Sequence, residues 1–172
     1  MKIATVATAV ALLLMGCSDA PPKSIQEINK EITGVSETVT GGTKALVVDM
    51  KPSSGYDESS YFFMATDGVN KVLAGISKHF PNQQADRVDF VLAAGLTDKY
   101  GNTKDSPVIR LSFDMADVRK INYQGGSFTS WDLLRLANDV SYLHPAGKSI
   151  VQGYCRDESN GKYARDFCRT YL

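Results

Sequence analysis

The chain has 172 residues, with 19 Lys and Arg against 19 Asp and Glu, so its formal charge at neutral pH is zero. No basic surplus is available to neutralise a phosphate backbone and no run of like charges appears, so nucleic acid is not an expected partner. The length suits a single domain able to bury a real core.

The first residues, Met1-Lys2, are followed by an uncharged stretch from Ile3 to Leu14 and then by Met15-Gly16-Cys17. One positive charge, a short apolar run and a small residue before a cut are the parts of a secretory signal. A membrane-spanning helix needs about 20 apolar residues. This run stops too soon, at Ser18-Asp19-Ala20-Pro21-Pro22.

Leu14-Met15-Gly16-Cys17 resembles the bacterial lipoprotein signal, the lipobox, with Leu14 at its aliphatic position, Gly16 before the cut and Cys17 as its cysteine. The resemblance implies that residues 1–16 are removed, that the Cys17 thiol carries diacylglycerol and that the new amino group is acylated. Two or more chains hold a protein stably in a bilayer, where one does so only marginally. In enteric-type bacteria an Asp after the cysteine resembles an inner-membrane retention signal. Ser18 stands there instead, which implies the outer membrane, facing the periplasm. Loss of Lys2 leaves the mature chain with one excess acidic charge.

With Cys17 lipidated, Cys155 and Cys168 are the remaining pair, and export places them where disulfides form. Such a bond closes a loop of about 14 residues and adds roughly 3 kcal/mol in the chain-entropy model. The alternative is two buried free thiols. His79 and His144 lie far from both cysteines in sequence, which disfavours a metal site.

Residues 17–42 read as a lipidated N-terminus and tether, short of large apolar side chains and rich in Pro, Ser, Thr and Gly. Ser24 can cap a short helix through Glu27, with Ile25, Ile28 and Ile32 on one side. Residues 43–172 read as one globular domain. Ala45–Met50 is a strand ended by Pro52. Apolar residues at Phe62, Ala65, Val69, Val72, Leu73, Ile76 and Phe80 give the spacing of a long amphipathic helix. Gly68 inside it marks a kink or break.

Arg87–Ala94 and Val108–Phe113 read as two strands of an antiparallel hairpin, joined by a polar loop. Asp114 caps a short helix through Ile121. Thr129-Ser130-Trp131-Asp132 resembles a capping box, opening a helix that carries Trp131, Leu134, Ala137, Val140 and Leu143 and ends at His144-Pro145. A last short helix spans about Lys162 to Arg169, stapled by the disulfide. The order of elements predicts an α+β fold, a small, mainly antiparallel sheet with helices on one face.

No nucleophile elbow, phosphate-cradling glycine loop or paired-histidine metal motif occurs. No catalytic residue, metal ligand or cofactor site is therefore assigned. His79 and His144 fit helix ends. Asp98, Asn102 and Asp105 offer oxygens but lack an EF-hand pattern, and Asp114 and Asp117 sit where a helix start explains them. Tyr61, Phe62 and Phe63 cannot all face one narrow stripe, so Tyr61 and Phe63 are the candidate interface residues, exposed unless the terminal segment covers them.

The expected role is that of a non-enzymatic envelope lipoprotein, anchored in the bilayer through acylated Cys17 and binding another envelope protein of an assembly, secretion or transfer system. Two alternatives are an inhibitor, immunity or exclusion lipoprotein acting through loop 97–106, and a hydrolase using carboxylates.

Overall fold

The computed structural model describes residues 20–172 apart from Ser54 and Tyr56. Cys17 and the signal before it lie outside the described residues. The sheet has five strands in the order β1-β2-β3-β4-β5: β1 Ile32–Thr40, β2 Thr43–Met50, β3 Arg87–Thr97, β4 Thr103–Asp114 and β5 Ala137–Tyr142. Three of the four strand pairs are antiparallel, and β2 and β3 run parallel. A parallel pair needs a crossover, and helix α1, Glu58–His79, supplies it.

The expected α+β class is the observed one. Leu46, Val48 and Met50 alternate along β2, as do Val88, Phe90 and Leu92 along β3 and Ile109, Leu111 and Phe113 along β4. All are buried in one core with the inward stripe of α1, from Phe62 through Val69 to Ile76. On the opposite face Asp49 and Arg110 are half-buried and Asp139 is exposed, while Asp89 and Ser112 at its centre are buried.

Four short helices and one longer one complete the helical side: α2 Met115–Val118, α3 Ser130–Leu134, α4 Pro145–Arg156, α5 Glu158–Tyr163 and α6 Arg165–Tyr171. The Cys155–Cys168 disulfide is present and joins α4 to α6. Beside it Phe62 of α1 meets Tyr154 edge-on, with ring centres 5.0 Å apart, and stacks on Phe167 at 5.8 Å. The terminal segment is thus a wall of the core.

Several sequence expectations need correction. Residues 17–42 are not a tether throughout: Ile32–Thr40 is strand β1, hydrogen-bonded to β2 in a hairpin. Its turn is Gly41-Gly42, with φ of 59° and 85°, which only glycine adopts at low cost and which suits a two-residue hairpin. The helix expected from Ser24 is a single 3-10 turn, Ile25–Glu27, without a side-chain cap. Its Ile25 and Ile28 pack against the core.

The helix opened by Thr129 ends at Leu134, and residues 137–142 form β5 at the sheet edge. Pairing with β4 overrides a helical spacing that Leu143, which is exposed, does not honour. His144-Pro145 opens α4 instead of closing a helix. The His144 Nδ1 accepts the Ala146 N–H at 3.1 Å, and Pro145 takes the first helical turn, where its missing N–H costs nothing.

Gly68 neither kinks nor breaks α1, which runs unbroken through it. A Cβ there would lie 2.8 Å from Glu31 Oε2 and 3.3 Å from Met50 Cε. The residue is small because β2 and the segment before β1 press against the helix.

Candidate functional site

The two candidate interface residues part company in the structure. Tyr61 and Phe63 lie about 200° apart around α1. Tyr61 is 8% exposed, and its hydroxyl donates to the Ala93 carbonyl oxygen at 2.8 Å. Burial, aided by Glu31, holds its phenol above the ordinary range. Tyr61 is therefore a brace for β3, which corrects its assignment to an interface. Phe63 is 39% exposed.

Phe63 faces Trp131 with ring centres 6.1 Å apart, and Trp131 faces Tyr163 at 4.8 Å. Lys162 places its Nζ 5.2 Å from the Tyr163 ring centre. Three helices thus contribute one aromatic each to a partly exposed row: α1, α3 and α5. Sequence reasoning reached Phe63 alone. Trp131 and Tyr163 join it only in the folded chain, because spacing along one helix says nothing about which other helix lies beside it.

The row is fixed from beneath by Asn160, which is only 5% exposed. Its Oδ1 accepts the Trp131 indole N–H at 3.0 Å, and its Nδ2 donates to Ser59 Oγ on α1 at 3.1 Å. Its own N–H donates to Asp157 Oδ1, the cap of α5. One buried amide therefore ties together the three helices that carry the row. A buried amide whose oxygen and nitrogen are both paired fixes a single orientation.

Trp131 is held a second time by its own helix start. Thr129 and Asp132 form the expected capping box, with Asp132 Oδ2 accepting the Thr129 N–H at 3.0 Å and the Thr129 hydroxyl at 2.7 Å. Partial burial pushes the Asp132 carboxyl upward, but the Thr129 hydrogen bonds and the Arg135 guanidinium outweigh it and hold the group below its ordinary value.

The other polar candidates are engaged in local structure. Asp98 Oδ1 accepts the N–H groups of Tyr100 and Asn102 at 2.8 and 2.9 Å, and these bonds, led by the Asn102 side chain, lower its pKa. Asp105 pairs with Lys51 at 2.7 Å. Asp114 caps α2 through the Ala116 N–H, and Asp117 pairs with Lys120. Among the described residues no group of three or more His, Cys, Asp or Glu side chains is placed to hold a metal ion. No described helix is long and apolar enough to cross a membrane.

The loop expected over 97–106 is shorter: Thr97 and Thr103–Ser106 belong to β3 and β4, and residues 98–102 turn at the top of a projecting arm. Beyond Leu92 and Ile109 the β3–β4 ladder continues from Ala93↔Pro107 to Thr97↔Thr103, while β2 and β5 have already ended. Five residues of strand project roughly 16 Å. Tyr100 at the tip is 77% exposed, with Lys99 Nζ 4.9 Å from its ring centre. No family model matches the chain, and no curated protein or solved structure matches it.

Proposed function

We propose that this chain is a lipid-anchored, non-enzymatic envelope protein that binds a protein partner through Phe63, Trp131 and Tyr163. The observation that carries the reading is the aromatic row held by Asn160. Exposed Trp, Tyr and Phe side chains are enriched at interfaces, and Trp and Tyr dominate binding hot spots. Rings locked before binding lose little conformational entropy on contact. The lipobox resemblance at Cys17 supports the anchor, facing the periplasm from the outer membrane.

The fold alters what such an anchor means. With Ile25 packed on the core, the free tether is only the eight steps from Cys17, at most about 29 Å. That is shorter than the domain itself, whose radius of gyration for its size is about 15 Å. The domain therefore rides close to the bilayer, and its partner is membrane-proximal.

The test has two arms. Labelled fatty acid should enter the full chain and be lost from Cys17→Ser. Photo-crosslinkers at positions 63 and 163 should capture the same envelope protein, and Phe63→Ala with Tyr163→Ala should abolish its co-purification. Unchanged co-purification from the folded double variant would overturn the assignment of the row.

The projecting arm favours a second reading, an inhibitor or exclusion lipoprotein whose Tyr100 tip enters a target's cleft. Its braces at Tyr61 and at the Lys51–Asp105 pair fit an inserting element. Protection that survives shortening of the arm would count against it.

A further inference from the structure

The two edges of the sheet are finished differently. β5 is short, carries Asn138 and Asp139, and bends at once into α4. Those are devices that blunt an edge against strand addition. β1 is nine residues long and has no Lys, Arg or Pro. From Gly34 to Thr40 it pairs with β2 in unbroken register, so this stretch is a regular strand of about 23 Å. Every residue from Ser36 to Thr40 is exposed, Val39 by 68%.

The one charged residue of β1 does not guard the edge. The Glu37 carboxylate accepts the Gln83 side-chain N–H at 3.2 Å, which draws it toward the helical side. Among the described residues no strand covers the outer side of β1. Its unpaired N–H and C=O groups alternate at strand spacing, a pattern that only another polypeptide strand satisfies along its length.

We propose that β1 pairs antiparallel with β1 of a second copy of this chain, joining two five-stranded sheets into one. Placement singles out a second copy. A two-fold axis perpendicular to the sheet leaves both helical layers on the same side. The segment before β1 also lies on that side, where Ile28 sits against Gly75 of α1. Both N-terminal segments of the pair therefore emerge toward one plane, as attachment to a single bilayer requires.

This argument rests on the anchor reading, which also supplies the concentration. One added strand pair buries little against the roughly 1,200 Å² of stable complexes, so the pair is weak in free solution. Tethering to a surface raises the effective concentration of copies that already share an orientation.

The test uses the full chain, expressed with its own signal and carrying Ser36→Cys, the middle residue of β1. Cross-strand neighbours on one face bring their Cβ atoms to about 5 Å, within disulfide reach. Membranes are treated with copper–phenanthroline in air, and the protein is run without reductant. A covalent homodimer is expected for Ser36→Cys and not for Lys99→Cys at the arm tip. Adding Thr38→Lys, an edge-blunting charge, should reduce the dimer to background while the circular dichroism of the purified protein stays unchanged.

Absence of the dimer, or equal yield from Lys99→Cys, overturns the pairing. Flotation of the same membranes tests the anchor separately. Protein that floats without cross-linking refutes the pairing alone. Protein that does not float refutes the anchor, and the same cross-link on the concentrated soluble chain then decides the pairing.

Discussion

Ile28 occupies the space that a side chain at Gly75 would need: a Cβ built there would come closer to Ile28 Cγ2 than the 3.0 Å that real Cβ atoms respect. Seven residues earlier on α1, Gly68 leaves the same kind of room beside Glu31 and Met50. The described segment before β1 is thus bedded along α1, and Glu31 secures it further by accepting from both the N–H and the hydroxyl of Ser53, at 3.0 and 2.7 Å.

Gly75→Ala should therefore reverse the usual sign. Within an exposed helix the change stabilises by about 1 kcal/mol. Here overpacking against Ile28 should destabilise by about 1–3 kcal/mol, read by urea unfolding. Limited proteolysis should find Lys23 and Lys30 cleaved faster. Equal or greater stability would mean that Ile28 yields without cost.

Asn160→Ala removes the buried amide that bridges Trp131 and Ser59. The Trp131 indole N–H and Ser59 lose their bonds, at a cost of about 1–3 kcal/mol. The chain has one tryptophan, so the site reports on itself. Trp131 emission should shift to the red and broaden, and partner binding should weaken without any change in the exposed rings. An unchanged spectrum would mean that the indole is held by packing alone.

Reduction of Cys155–Cys168, or the double serine variant, should lower stability by roughly 3 kcal/mol, the value for a loop of this length. The effect should appear in the melting temperature measured with and without reductant. It should also loosen α6 and with it Phe167, which stacks on Phe62.

The capping carboxylate of Asp132 predicts an acid limb for the α3 start. Its pKa is lowered in the folded chain, so its contribution is fully present above the unfolded carboxylate value of about 3.9 and is lost as pH falls through the lower folded value. Trp131 fluorescence followed from pH 5 downward should show this transition. Asp132→Asn should remove that pH dependence, and a variant that keeps the same profile would assign the limb to another group.

Much of the fold could be read from residue pattern. The α1 stripe from Phe62 to Ile76, the alternation in β2, β3 and β4 and the Thr129–Asp132 box are all local, and local periodicity reports which side of an element is apolar. β1 was also within reach. Gly41-Gly42 between two threonines, with β-branched residues before it, is a two-residue hairpin signal. Scarcity of large side chains masked it, because an edge strand buries little. The helix expected over residues 137–143 went wrong for the opposite reason. Its spacing suited a helix, but the strand form of Ala137–Tyr142 gains a ladder with β4 that no local pattern reveals.

By itself the sequence determined the α+β class, the cysteine pair and the lipobox resemblance at Cys17, each written in short runs of neighbouring residues. Only the tertiary structure decided that Tyr61 turns inward to Ala93 while Phe63 joins Trp131 and Tyr163, and that Gly68 and Gly75 are seats for the chain before β1 and not breaks in α1. The physical reason is distance along the chain. Asn160 meets Ser59 across 101 positions. A side chain's burial and partners depend on which element folding brings to its open side, and no local spacing records that.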